Sequence, residues 1–148
     1  MMTRRSLCLS GVFLTVLLAC RVLTATDDPK PNDGDNVNLR GTWVLESLWF
    51  DGQEVPPGKT ATMTFDGKKV ILKKDVLEST GDYEIDPAKD PKTLDMTFEK
   101  DKRTIKAIYE LRGDRLTVCL GAEDGPRPTE IAATVGSATM LMRFERDK

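Results

Sequence analysis

The chain has 148 residues, of which 22 are Lys or Arg, 24 are Asp or Glu and none is His. Its 39% hydrophobic and 31% charged residues are typical of a globular protein, and its length fits one domain. Without histidine, zinc sites with His ligands, Ser-His-Asp hydrolases and Cys-His proteases are excluded. The net charge of −2 also lacks the basic excess of a nucleic-acid-binding protein, so we expect no nucleic-acid partner.

The N-terminal segment, residues 1–19, has the pattern of a secretory signal peptide. Arg4 and Arg5 precede an uncharged apolar run that is shorter than the roughly 20 apolar residues of a spanning helix. Two adjacent arginines suit both the general export route and the twin-arginine route. The segment therefore predicts an exported protein of the periplasm or cell envelope.

The end of this segment contains a candidate lipidation site. Leu17-Leu18-Ala19-Cys20 is similar to a bacterial lipobox, in which the Cys is lipidated and becomes the new N-terminus. Ordinary cleavage nearby, for example after Ala25, is the alternative. If Cys20 is lipidated, we expect this anchor to be the protein's contact with a membrane.

Residues 20–38 are polar, contain prolines and lack hydrophobic periodicity, which predicts a flexible linker. The folded domain is then expected at 39–148. Loss of Arg4 and Arg5 with the signal peptide leaves 20 basic and 24 acidic residues, a net charge of −4. Cys119 would be the one cysteine within the domain, so no disulfide inside it is predicted.

From residue 39 onward the hydrophobic pattern has a period of two, and no convincing helix is predicted. Eight strands are expected, at 42–51, 60–65, 68–74, 79–85, 92–99, 104–111, 115–120 and 138–146. Short antiparallel strands at this spacing predict an all-β fold. Among all-β folds they favour an up-and-down barrel, which has no free edges. The connection at 121–137 is unusually long, which is typical of lids and binding loops.

The first predicted strand has apolar residues on both faces. Strict alternation places Trp43, Leu45 and Trp49 together on one face. Val44, Leu48 and Phe50 then lie on the other, as expected of a strand covered on both sides near a barrel end.

A Gly-x-Trp motif at Gly41-Thr42-Trp43 opens this strand, and further motifs follow it along the chain. They are Asp51-Gly52 with Val55-Pro56, Phe65-Asp66-Gly67, Gly81-Asp82-Tyr83 with Asp86-Pro87, Ile108-Tyr109-Glu110-Leu111, Gly113-Asp114-Arg115-Leu116 and Arg127-Pro128-Thr129-Glu130. Together they resemble a family of short secreted lipocalin-like domains found mainly in planctomycete bacteria, over residues 39–146. The family has no established activity, so the resemblance implies a fold and a compartment.

The resemblance implies an eight-stranded lipocalin-like barrel in which Trp43 plugs the closed end. Ala107 and Ile131 depart from the family's pattern, where Gly and Phe are expected. Lipocalins also place a basic side chain of the last strand over the signature Trp. Arg146 is the first candidate for that position and Arg143 the second.

Methionines and aromatic residues dominate the inward positions of the predicted barrel, and nine of them are candidate ligand-lining residues. These are Met63, Phe65, Tyr83, Met96, Phe98, Tyr109, Met140, Met142 and Phe144. Methionine adapts its shape to apolar ligands, and the Tyr hydroxyls offer polar contacts. The same side chains also suit a closed, filled core, and both interpretations stay open.

Two functions follow, neither of them catalytic. The first is a binding module that carries a small apolar or lipid-like ligand. The second is a protein-interaction or inhibitor-like envelope module with a filled core, which acts through the 121–137 connection.

Within that loop, Arg127 and Glu130 are expected to grip a ligand as an ion pair or to pin the loop to the rim. The carboxylates of Asp82 and Glu84 are expected in solvent. We expect no cofactor or metal, and the oligomeric state is left open.

Overall fold

The computed structural model describes residues 33–58 and 60–148. The predicted signal peptide, Cys20 and residues 20–32 of the predicted linker lie outside these residues. One short helix, α1 (Asp33–Leu39), precedes the strands. The strands are β1 (Gly41–Phe50), β2 (Gln53–Val55), β3 (Ala61–Asp66), β4 (Lys69–Lys74), β5 (Leu77–Asp86), β6 (Lys92–Phe98), β7 (Thr104–Arg112), β8 (Arg115–Leu120) and β9 (Met140–Arg146).

The predicted eight-stranded antiparallel barrel is confirmed. Consecutive strands from β3 to β9 pair in sequence order, and β1 pairs with both β3 and β9, which closes the sheet. The additional strand β2 is a short hairpin arm that pairs with the last residues of β1. Since every barrel strand has a partner on each side, the barrel leaves no long free edge.

The barrel has two different ends. The first, called the closed end, holds α1, the start of β1 and the end of β9. The opposite end, called the mouth, holds the end of β1 and the connections 51–60, 75–76, 99–103 and 121–139. The long connection therefore runs two residues beyond the predicted 121–137.

The barrel interior is an apolar core. Its buried members include Trp43, Met63, Phe65, Tyr83, Met96, Phe98, Tyr109 and Phe144, and Met140 and Met142 pack against them while partly exposed. All nine candidate ligand-lining residues therefore face the interior, as their alternation predicts.

The prediction of a flexible linker at 20–38 is wrong for residues 33–38, because these residues belong to α1. Tertiary contacts explain this helix. Leu39, at its end, is fully buried in the barrel core, and Asp35 makes side-chain bonds to β6 and β7. A seven-residue helix is too short to be stable alone, so its stability comes from this packing.

The predicted placement of Trp49 beside Trp43 is also wrong. Leu45 lies opposite Phe144, but the next paired residue is Ser47, opposite Arg143, so Glu46 is an extra residue in a β-bulge. The bulge reverses the alternation, and Trp49 joins a second, outer cluster with Ile108, Cys119 and Leu141. Val44 still faces away from the interior, whereas Leu48 and Phe50 pair with the inward Met142 and Met140.

Candidate functional site

The closed end is built around Trp43, which is completely buried. The guanidinium carbon of Arg146 lies 4.2 Å from the centroid of the Trp43 ring, the contact expected of a basic residue in the last strand. Arg146 also donates hydrogen bonds to the carbonyl oxygens of Arg40 (2.8 Å) and Asn38 (2.5 Å). The Trp43 indole N–H donates to the carbonyl oxygen of Leu39 at 2.8 Å, so both residues bind the chain that links α1 to β1.

Glycine is required at position 41 by this arrangement. Gly41 has a φ of 120°, which side-chain-bearing residues rarely adopt, and a Cβ there would lie 3.2 Å from Nη1 of Arg146. The second residue considered for the position over Trp43, Arg143, instead lies 4.8 Å from the Trp49 ring on the outer face.

Helix α1 is held on the closed end by Asp35. One carboxylate oxygen, Oδ2, accepts hydrogen bonds from the Tyr109 hydroxyl at 2.8 Å and from Lys92 Nζ at 2.7 Å. Only 14% of the Asp35 side chain is exposed. Burial, followed by the hydrogen bond to the Asp35 carboxylate, strongly raises the pKa of Tyr109. The helix therefore covers this end of the barrel with a buried polar contact.

The second tyrosine, Tyr83, also donates a hydrogen bond within the protein. The Tyr83 hydroxyl donates to the carbonyl oxygen of Gly67 at 3.0 Å, and its ring packs edge-to-face on Phe65 with centroids 4.8 Å apart. Burial raises the pKa of Tyr83. Both hydroxyls that were candidates for ligand contact thus have partners within the protein.

The middle of the barrel is filled by its own side chains. Met63, Phe65, Met96 and Tyr109 are each at most 1% exposed. A ligand would have to displace these side chains to reach the interior, so the four residues form part of the hydrophobic core.

The mouth, by contrast, has an accessible apolar surface. A depression of about 610 Å³ lies between the first half of β5 and the 99–103 connection, and its apolar floor consists of Leu72, Phe98 and Ile105. Glu78, Lys100, Asp101 and Arg103 surround this floor with charge. The depression, called the mouth pocket below, is suited to an apolar group with a polar end.

A small residue of β5, Ser79, lines this pocket. Ser79 lies opposite Leu72 and Gly81 opposite Val70, so neither supplies a large side chain to the interior. At Gly81 the strand also passes very close to β6, since a Cβ there would lie 2.4 Å from the carbonyl oxygen of Thr97. The pocket is not predicted by the sequence, although Ser79-Thr80-Gly81 interrupts the apolar pattern.

The long connection 121–139 covers the outer face of the barrel. Ile131 and Ala133 pack on the outer cluster, and the buried Cys119 thiol donates to the carbonyl oxygen of Ala132 at 3.3 Å. Burial raises the pKa of Cys119, which keeps it a neutral thiol. Cys119 therefore lies on the outer face of the barrel wall, opposite the core.

Arg127 pins this connection to the barrel, but its partner is not Glu130. Nη1 of Arg127 donates to the carbonyl oxygen of Ala107 at 2.7 Å, and Nη2 donates to Asp95 Oδ2 at 2.9 Å. Glu130 is exposed. Of the two roles considered for the pair, the ion pair that grips a ligand is wrong and the pinning role belongs to Arg127 alone, because Asp95 projects from β6 toward the connection.

The remaining polar candidates lie on the surface. Asp82 and Glu84 are exposed on β5, as alternation predicts, beside a groove at the closed end that Val37, Arg40 and Lys68 also line. Asp82 forms an ion pair with Lys69 at 3.0 Å. Tyr83 and Ile85 of the same strand also line this groove.

Comparison of the chain with protein-family models, with curated proteins and with solved structures gives no match. In the part of the chain that the structure describes, no helix has both the length and the apolar character needed to span a bilayer.

Proposed function

We propose that the protein is an exported, non-catalytic binding module that takes a small apolar or lipid-like ligand at the mouth of its barrel. The observation that supports this most is the apolar floor of Leu72, Phe98 and Ile105, which is accessible at the mouth of a barrel whose middle is filled by its own side chains. The signal-peptide pattern and the lipobox-like Cys20 support a periplasmic or envelope location.

The proposed ligand lies above the core. Its apolar part contacts Phe98 and Ile105, and its polar end meets the charged groups around the pocket. Arg103 forms ion pairs there with Asp101 and Glu123, which place its guanidinium beside the entrance. Of the nine candidate lining residues, Phe98 is the one that reaches this pocket.

Two isoleucines provide a matched test. Ile105 and Ile85 are both partly buried and pack against the same core, but Ile105 is at the mouth and Ile85 near the closed end. We expect Ile105→Asn to weaken binding of the uncharged fluorophore N-phenyl-1-naphthylamine by roughly tenfold, which corresponds to about 1.4 kcal/mol. Ile85→Asn is expected to leave the affinity within about twofold.

The fluorophore measurements decide whether the mouth pocket is a ligand site. If the wild-type protein does not bind the fluorophore, or if both variants lose affinity equally, the mouth pocket is not a ligand site. Circular dichroism checks that both variants are folded, and mass spectrometry of an organic extract of the protein from its native host identifies a retained ligand.

A second candidate function is a protein-interaction module. The connection 121–139 is held by Arg127, and Val135 near its end is exposed beside Gly52 at the mouth. If this function is correct, an envelope protein co-purifies with the wild-type protein and is lost with Val135→Asp. Binding of N-phenyl-1-naphthylamine is then either unchanged by the substitution or absent from both proteins.

A further inference from the structure

The last residues of β5 have no neighbouring strand on one side. β4 begins at Lys69, which lies opposite Asp82 of β5. Before Lys69 the chain forms the turn at Gly67 and Lys68 that leads from β3, so β4 does not reach residues 84–86. These residues still pair with β6 on their other side. β5 thus has a short free edge near the closed end.

Backbone groups on this edge lack partners among the described residues. The Tyr83 N–H points toward β4, since it donates to the carbonyl oxygen of Lys68 at 2.9 Å. Backbone groups alternate between the two edges of a strand, so the N–H and C=O of Ile85 point to the same side. No described residue bonds to either group of Ile85 on that side. Unpaired N–H and C=O groups on a strand edge are a template for pairing with another chain.

The free edge lines the groove at the closed end. This groove has a volume of about 880 Å³, and Val37 of α1 lines it together with Ile85. The Val37 side chain is 64% exposed. A peptide in the groove can therefore bond to the strand edge with its backbone and pack an apolar side chain on Val37. A groove with a free strand edge is the kind of site that binds peptides by strand addition.

Two exposed basic residues lie at one end of the groove, beside Tyr83. Lys68 is in the turn that accepts the Tyr83 N–H. Burial raises the pKa of Tyr83, and the positive charge of Arg40 offsets part of this rise, so Arg40 lies near the Tyr83 hydroxyl. Of the carboxylates in the lining, Asp82 is paired with Lys69 at 3.0 Å, and Glu84 is exposed.

The direction of an added strand follows from that of β4. A strand added antiparallel to β5 runs in the same direction as β4, so its C-terminal end points toward Lys68. The two basic residues are therefore placed where the carboxylate of a peptide that ends in the groove would lie.

We propose that this groove binds the C-terminal segment of a partner protein as an added strand on β5, with its carboxylate near Arg40 and Lys68. The free backbone groups favour a peptide over an apolar small molecule, because a peptide offers N–H and C=O groups at the spacing of a strand edge. The groove is at the opposite end of the barrel from the mouth pocket. The proposal therefore does not depend on ligand binding there.

Amide hydrogen exchange and fluorescence anisotropy test the proposal. The full chain carrying Cys20→Ser, which cannot be lipidated, is mixed with a fluorescein-labelled hexapeptide of alternating threonine and valine that has a free C-terminus. We expect the Ile85 amide to exchange rapidly in the free protein and roughly tenfold more slowly with excess peptide. The Glu84 amide, which faces β6, should exchange slowly in both samples. The same hexapeptide with an amidated C-terminus should bind several-fold more weakly.

Two exposed valines at opposite ends of the barrel provide matched variants. Val37→Asp should weaken binding of the hexapeptide by roughly fivefold, because Val37 lines the groove. Val76→Asp, in the 96% exposed turn between β4 and β5, should leave the affinity within about twofold. Arg40→Glu should remove the preference for the free C-terminus over the amidated one.

Several results overturn the proposal. They are the absence of hexapeptide binding, equal affinity for the free and amidated peptides, and equal losses in the two valine variants. Slow exchange of the Ile85 amide without peptide also overturns it, since the edge would then already be covered within the protein. Binding of N-phenyl-1-naphthylamine, which Val37→Asp should not change, separates these results from the fate of the mouth pocket.

Discussion

Arg146 and Trp43 join the last strand of the barrel to the first, with the guanidinium 4.2 Å from the indole ring. The same guanidinium binds two carbonyl oxygens of the chain that enters the barrel. One side chain therefore links β9, β1 and α1 at the closed end.

The first prediction concerns this link. Arg146→Ala should lower the free energy of unfolding by about 2–3 kcal/mol, since it removes a cation–π contact and two charge-assisted hydrogen bonds. Urea unfolding followed by circular dichroism measures the loss. Arg143→Ala is the control, because Arg143 contacts Trp49 on the exposed face at 4.8 Å, and it should cost less than about 1 kcal/mol. Equal losses in the two variants would contradict the assigned role of Arg146.

The second prediction concerns the attachment of α1. Tyr109→Phe removes a buried hydroxyl that donates to Asp35, and we expect it to destabilise the protein by about 1–2 kcal/mol. Asp35→Ala should cost more, since it also leaves Lys92 without this partner. In a double-mutant cycle the two changes should be coupled by about 1 kcal/mol, whereas Tyr109→Phe with the distant Glu84→Ala should be additive. Additivity of the Tyr109 and Asp35 changes would show that the hydrogen bond contributes nothing.

The third prediction is a pH dependence. Both tyrosines of the chain are buried, and burial raises their pKa above the ordinary value of 10.0. The folded protein therefore holds the phenolic protons more tightly than the unfolded chain, so this stabilisation is complete below pH 10 and is lost as the pH rises above it. Phenolate absorbance should appear together with unfolding rather than before it. Tyr109→Phe should flatten the fall in stability more than Tyr83→Phe; phenolate formation in a fully folded protein near pH 10 would refute the prediction.

The fourth prediction concerns the 121–139 connection. With Cys8 and Cys20 replaced by Ser, the buried Cys119 should react slowly with a thiol reagent at neutral pH. Arg127→Ala removes the bonds to Ala107 and Asp95, and we expect roughly tenfold faster reaction through more frequent opening of the connection. Arg112→Ala, which breaks only an exposed pair with Glu110, should leave the rate unchanged. A fast reaction in the wild-type protein would show that the connection does not protect the thiol.

The sequence predicted the barrel well because the period-two pattern directly records which side chains face the core. From Met63 to Phe144 the inward positions follow that pattern. Trp49 departs from this pattern because a β-bulge adds Glu46 to the strand. The residue types around Glu46 do not mark the bulge, so the period-two pattern does not reveal it. Helix α1 escaped notice for a different reason: its residues have little helix-forming pattern of their own, and Asp35 is positioned by Lys92 and Tyr109, which are distant in sequence.

The candidate site was only partly predictable. Phe98 was expected to face inward, and it does. Leu72 and Ile105 were not singled out, and Leu72 reaches the pocket beside the small Ser79 that lies opposite it on β5. The direction of a side chain follows from alternation along one strand. Whether space remains above it depends on the sizes of its cross-strand neighbours, which requires the register of the sheet.

The bulge in β1 also determines where the barrel tolerates a change of length. Loss of Glu46 would restore a regular ladder and leave Leu48 and Trp49 on the faces they already occupy. A one-residue deletion in the regular segment from Trp43 to Leu45 would instead turn the residues before it to the wrong face. Relatives of this protein with a shorter first strand are therefore expected to lack a residue at this position and to keep both clusters intact.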